Sequence, residues 1–65
     1  MKITVNGVAV EIRNDALPAV LEDLGYADKK VATAVNEDFV PAAARDRVTL
    51  QPGDRLEIVT PRQGG

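Results

Sequence analysis

The dipeptide Asn6-Gly7 limits what this chain can fold into more than any other pair of residues in it. Before it, Ile3 and Val5 alternate with Lys2 and Thr4; after it, Val8, Val10 and Ile12 alternate with Ala9 and Glu11. Alternating apolar and polar side chains have the period of a strand with one face on a core. A two-residue type I′ turn needs positive φ at both central positions, and asparagine followed by glycine accepts this most readily. The first dozen residues are therefore predicted to form an antiparallel hairpin. A lone hairpin is at best marginally stable in water, so its apolar face must be covered by something later in the chain.

The cover follows directly. Leu17, Val20, Leu21 and Leu24 recur at i, i+3, i+4 and i+7, the single apolar stripe of a short helix. Asn14-Asp15 is expected to cap it, with Asp15 as a capping residue. Pro18 falls in the first turn, where its missing N–H costs little, and Gly25 suits a left-handed C-cap. Such a helix is marginal alone and is expected to be held by its leucines against the sheet, with Glu22 and Asp23 pointing away. Asp28-Lys29-Lys30 reads as a polar connection. Residues 31–35 form a third strand candidate, with Val31, Thr33 and Val35 on one side. Asn36-Glu37-Asp38 is a turn, and Phe39-Val40 a short strand stopped by Pro41. Residues 42–47 suggest a helical turn, and Val48 and Leu50 plug the end of the core. Gln51-Pro52-Gly53-Asp54 is turn chemistry. In the last strand, 55–60, Leu56 and Ile58 share one face and Arg55, Glu57 and Val59 the other.

Hairpin, helix and further strands predict an α+β layer: a mixed sheet of about four to five strands with one main helix on one face. The domain is expected to span 1–61, with 62–65 a flexible tail. A chain of 65 residues buries only about 60% of the surface its unfolded form exposes, so a deep enclosed active site is not expected. There is no Cys and no His. That removes thiolate metal sites, a cysteine nucleophile, the usual general base and the commonest metal ligand. Ten acidic residues will form close pairs by chance on so small a surface, so no acid/base dyad is assigned. Eight Lys and Arg against ten Asp and Glu, with one Tyr and one Phe, offer no basic stripe or stacking platform for nucleic acid. Strand alternation from residue 2 onward leaves no room for a signal peptide. No apolar run approaches the roughly 20 residues of a membrane span, and a soluble, cytoplasmic protein is expected.

The chemistry is expected at the other end, in Arg62-Gln63-Gly64-Gly65 just past the last strand. Glycine has no side chain to obstruct a narrow channel and adopts backbone angles closed to other residues. A linker would also be rich in glycine; the position beside a strand is what suggests a presented end. Pro61 cannot donate a ladder hydrogen bond, so pairing is expected to stop there. Four extended residues then reach roughly 13–14 Å. Val59, on the outward face beside this tail, is a candidate docking patch with Ala32 and Ala34.

The whole chain resembles the ThiS family of thiamin-biosynthesis sulfur carriers, within the ubiquitin-like β-grasp superfamily. Four features carry the likeness: the strand-Asn6-Gly7-strand opening; Ala34-Val35-Asn36 followed by Phe39-Val40-Pro41; Gly53-Asp54-Arg55-Leu56-Glu57-Ile58 leading into the tail; and Gly64-Gly65. One departure is Ala42, which stands where the family often has a basic residue, so Arg45 or Arg47 would have to supply that charge. The resemblance implies that the first and last strands lie side by side in mid-sheet. It further implies that Gly65 is the modified residue, with Gly64, Gln63 and Arg62 threading into a partner. An α-carboxylate, with a pKa of about 3.3–3.7, is an anion at neutral pH and a poor electrophile. In the family, an E1-like adenylyltransferase (ThiF-type) activates it with ATP and Mg. A sulfur donor such as a cysteine desulfurase then supplies the sulfur for a thiocarboxylate, which serves a thiazole synthase (ThiG-type). The protein would be a co-substrate and not an enzyme, with no bound cofactor or metal. Alternatives are a molybdopterin synthase small subunit-like carrier, a ubiquitin-like protein modifier, or a binding module that adds a strand at the Phe39-Val40 edge.

Overall fold

In the computed structural model, which describes residues 1–61, the opening hairpin forms as its alternation requires. Strand β1 (Lys2–Val5) pairs antiparallel with β2 (Val8–Glu11), Ile3 opposite Val10. Asn6 at φ 51° and Gly7 at φ 83° make the turn. Ile12 ends the run buried, its N–H donating to the Met1 carbonyl at 2.8 Å. Val8, expected inward, is exposed, because at the lip of the edge strand no element lies over it.

Helix α1 (Leu17–Asp23) follows, with Leu17, Val20 and Leu21 buried. The expected cap by Asn14-Asp15 is not formed: Ala16 is the N-cap and makes no side-chain bond. The reason lies in how the unpaired N–H groups of the first turn are met. Leu17 N–H donates to the Val48 carbonyl at 3.1 Å, and Pro18 has no N–H. The Asp15 carbonyl in turn accepts from Leu50 N–H at 2.7 Å. Backbone from the 48–50 segment thus does the work a side-chain cap would do, and Asn14 Nδ2 instead donates to Asp23 Oδ2. At the other end Gly25 takes φ 92°, its N–H bonding Glu22 and that of Tyr26 bonding Leu21. That pair of bonds is the Schellman arrangement expected of a glycine at C′.

A second hairpin joins β3 (Ala32–Val35) to β4 (Asp38–Val40), with Ala34 opposite Phe39. Its turn residues, Asn36 at φ 51° and Glu37 at φ 73°, repeat the conformation of Asn6-Gly7 without a glycine. A 3₁₀ helix (Ala42–Arg47) occupies the expected helical turn. Strand β5 (Arg55–Val59) comes last in the chain but sits mid-sheet. The order is β2-β1-β5-β3-β4, with β5 parallel to β1 and antiparallel to β3.

One face of this five-stranded mixed sheet supplies Ile3, Leu56 and Ile58 to the core, against Leu17, Val20, Leu21 and Leu50. Thr33 is the one buried polar residue among those described. Its Oγ1 donates to the Val40 carbonyl at 2.9 Å and accepts from Arg45 Nε at 3.1 Å. Residues 62–65, where the tail was expected, lie outside the described residues.

Truncating a large side chain in so small a core is expected to be felt strongly. Leu17→Ala, at a fully buried position, should cost about 2–5 kcal/mol in urea unfolding. Val8→Ala, at an exposed one, should stay within about 0.5 kcal/mol.

Candidate functional site

Alternation along β5 divides its side chains cleanly. Leu56 and Ile58 are buried, and Arg55, Glu57 and Val59 lie on the outer face of the sheet. Val59 is 61% exposed. Its register partner on β3 is Ala32, and Ala34 lies opposite Glu57. The three residues expected to form a docking patch therefore share one face. The structure adds a fourth. Phe39 pairs with Ala34 on the far side and is 68% exposed, the most exposed large apolar side chain among the described residues. Neighbouring strands are about 4.8 Å apart and each residue rises about 3.3 Å along a strand, so Phe39 and Val59, two strands across and two residues along, stand about 12 Å apart, with the small side chains of Ala34 and Ala32 between them.

Phe39 was legible in principle. Val40 must face the core, so its neighbour faces out. A two-residue turn at Asn36-Glu37 then sets Ala34 opposite Phe39. From the sequence alone it stands out only as part of an exposed edge with Val40.

Charges share the face: Glu57 lies opposite Ala34, beside the apolar residues, and Arg55 precedes it along β5. Arg55 Nη1 approaches Glu37 Oε2 at 3.6 Å, both well exposed, a pairing that contributes little to stability. At the opposite end of the sheet the Met1 ammonium lies 3.0 Å from Glu11 Oε2. Its hydrogen bond and its charge, with a smaller contribution from Lys2, hold the Glu11 carboxyl below the ordinary glutamate range. Among the described residues no cluster of His, Cys, Asp or Glu could hold a metal ion, and no helix is long and apolar enough to cross a membrane.

The backbone of β5 is held from both sides by asparagines. At its start, Asn36 N–H donates to the Arg55 carbonyl at 2.8 Å and Asn36 Oδ1 accepts from Arg55 N–H at 3.0 Å. Asn36 Nδ2 reaches Asp54 Oδ1 at 3.0 Å. Toward its end, Asn6 Oδ1 accepts from Ile58 N–H at 2.8 Å while Asn6 Nδ2 donates to the Ile58 carbonyl at 3.1 Å. Beyond Val59 the strand stops, and Thr60 and Pro61 are exposed. Arg62, Gln63, Gly64 and Gly65, the expected threading and modified residues, lie outside the described residues.

The two arginines near Ala42 differ in surroundings. Arg45 is half-buried, its guanidinium donating to Thr33 Oγ1 and to the Val31 carbonyl. Arg47 is exposed. Arg45 is thus occupied within the fold, and Arg47 is the one whose side chain faces solvent.

Comparison with known proteins agrees with this architecture. The ThiS family model matches residues 3–65. The crystal structure of a thiamine biosynthesis protein (ThiS) from Geobacter metallireducens is similar to the chain, with a TM-score of 0.85 at 26% identity over all of both chains. A solution structure of a thiamine biosynthesis protein from the same organism gives 0.77 at 26% identity, covering 100% of this chain and 88% of that one. A thiazole synthase of Paramagnetospirillum magneticum is 38% identical over 69 residues. The chain spans all of its own length but about one fifth (20%) of that relative.

The contrast between the arginines is measurable by chemical denaturation. Arg45→Ala should cost about 1.5–3 kcal/mol, because it strips charged hydrogen bonds from Thr33 and Val31. Arg47→Ala should stay within about 0.5 kcal/mol.

Proposed function

The chain belongs to the ThiS family, and from that membership we propose that it is a sulfur carrier in which Gly65 bears the sulfur and the folded body presents it. The observation that carries this reading is the reach of the family match. It runs through residue 65 and so includes Gly64-Gly65 as well as the folded body. The thiazole synthase relative favours delivery to thiazole formation in thiamin biosynthesis over delivery to molybdopterin.

The chemistry follows from the carboxylate. As an anion at neutral pH it resists attack by a second nucleophile. In the proposed sequence an E1-like, ThiF-type adenylyltransferase binds the protein with ATP and Mg. A Gly65 carboxylate oxygen attacks the α-phosphorus, pyrophosphate leaves, and an acyl-adenylate forms. A sulfur nucleophile, supplied through a cysteine desulfurase, attacks the carbonyl carbon and expels AMP. The resulting thiocarboxylate passes its sulfur to a ThiG-type thiazole synthase. Beyond the Gly65 carboxylate itself, this chain contributes position and no side-chain acid, base or nucleophile, which suits a sequence without Cys or His. Gly64 gives clearance beside the reacting carbon, and Arg62 and Gln63 cross the partner's entrance.

Phe39, Ala34, Ala32 and Val59 are the docking surface in this reading. Apolar side chains gathered on one face of a small protein mark a place where another protein sits. The same residues stabilise the fold little, because they are exposed or small.

Mass spectrometry tests the proposal. Incubation of the 65-residue protein with a ThiF-type enzyme, ATP, Mg and sulfide should add the mass difference between sulfur and oxygen. Deleting Gly65 should abolish that change and leave the circular dichroism spectrum unaltered. Phe39→Ala combined with Val59→Asp should raise KM for the adenylyltransferase. An unchanged mass for the intact protein would overturn the reading.

A further inference from the structure

Parallel pairing of β1 with β5 runs out early. Thr4 N–H donates to the Asp54 carbonyl at 3.0 Å, and Asn6 N–H to the Leu56 carbonyl at 2.9 Å. In a parallel ladder the next rungs would use the backbone carbonyl of residue 6 and the N–H of residue 8, bonding Ile58 on both sides. Neither is in place, because the chain turns away at Asn6 with φ 51°. The Asn6 carboxamide occupies both positions instead. Its Oδ1 replaces the missing acceptor and its Nδ2 the missing donor, at 2.8 and 3.1 Å from Ile58.

On the other flank, β3 pairs with β5 as far as Ala32 opposite Val59. Without the Asn6 side chain, support from the β1 side would end at Leu56, two residues sooner. With it, both edges of β5 are held to nearly the same level, at Ile58 and Val59. Pro61 follows two residues after Val59 and has no N–H with which to continue any ladder.

We propose that Asn6 is a positioning residue for the adenylation step: its carboxamide acts as a surrogate peptide group that squares off the end of β5 and holds in place the backbone that leads on to residue 62. The inference rests on the carrier reading. Docking on the Phe39–Val59 face sets how tightly the partner binds. The anchored end of β5 sets how often a docked molecule has its terminal carboxylate in the reactive place. Small misplacements at a reacting centre are expensive in rate, so loss of the anchor lowers kcat and leaves KM alone.

Asn36 provides a matched control. It too is the first residue of a type I′ turn, with the same φ of 51°, and it too bonds the β5 backbone through its side chain. It does so at Arg55, the end of the strand remote from the tail. Glycine keeps the positive φ without strain, so Asn6→Gly and Asn36→Gly remove the two carboxamides alone.

The test is ATP–pyrophosphate exchange with a ThiF-type adenylyltransferase, alongside amide hydrogen exchange at Ile58. Asn6→Gly should speed exchange of the Ile58 amide and lower kcat roughly tenfold or more at near-unchanged KM. Asn36→Gly should leave the Ile58 amide, kcat and KM as they are. General destabilisation would instead reduce the folded concentration and raise the apparent KM. Asn6→Asp, which keeps the acceptor for Ile58 N–H, should fold and fall between the parent and Asn6→Gly in kcat. Equal kcat for Asn6→Gly and the parent, or equal losses for the two glycine variants, would overturn the inference. No exchange with the unsubstituted protein would overturn the carrier reading itself, and this inference with it.

Discussion

The sheet is joined through β5. The two hairpins, β1–β2 and β3–β4, share no pairing with one another. They become one sheet only when the last strand enters between them, bonded to β1 on one side and β3 on the other. That strand also brings Leu56 and Ile58 to the core. Since a domain of this size has little buried area to spare, the body cannot be complete without it. In the carrier reading this arrangement ties stability to function in one element: the segment that finishes the core is the segment from which residues 62–65 continue.

Division of labour between the two faces of the sheet follows from strand alternation. The inner face holds the fold together through Ile3, Leu56 and Ile58. The outer face, with Ala32, Ala34, Phe39 and Val59, is left to meet a partner in the carrier reading. A chain that reacts at its end needs no cleft, and shallow alanines between two larger apolar groups suit a flat contact better than a pocket would. The two asparagine turns fit the same economy. Each reverses the chain with positive φ and also satisfies backbone groups of β5 with its side chain.

Features that depend on local pattern were legible in the sequence. The Asn6-Gly7 hairpin, the leucine stripe of α1, the left-handed Gly25 and the inward-outward split of β5 all follow from spacing and turn chemistry. Their arrangement in the sheet came from resemblance to a family, because pairing β1 with β5 joins residues about fifty positions apart and no spacing rule dictates it. The misses also have physical causes. Asn14-Asp15 looks like a cap, but the carbonyl of Val48, distant in sequence, reaches Leu17 first. Asn6 reads as a turn residue, and nothing in its neighbours reveals that its side chain bonds Ile58, 52 positions away.

The central claim is that the body presents the end, so that the same terminal carboxylate is worth far less without it. The most direct measurement compares kcat/KM for adenylation of the whole protein with that of a synthetic peptide of residues 60–65, using one adenylyltransferase. The account predicts a loss of two orders of magnitude or more for the peptide, since it lacks both the docking face and the anchored strand. A peptide adenylated as efficiently as the protein would contradict it.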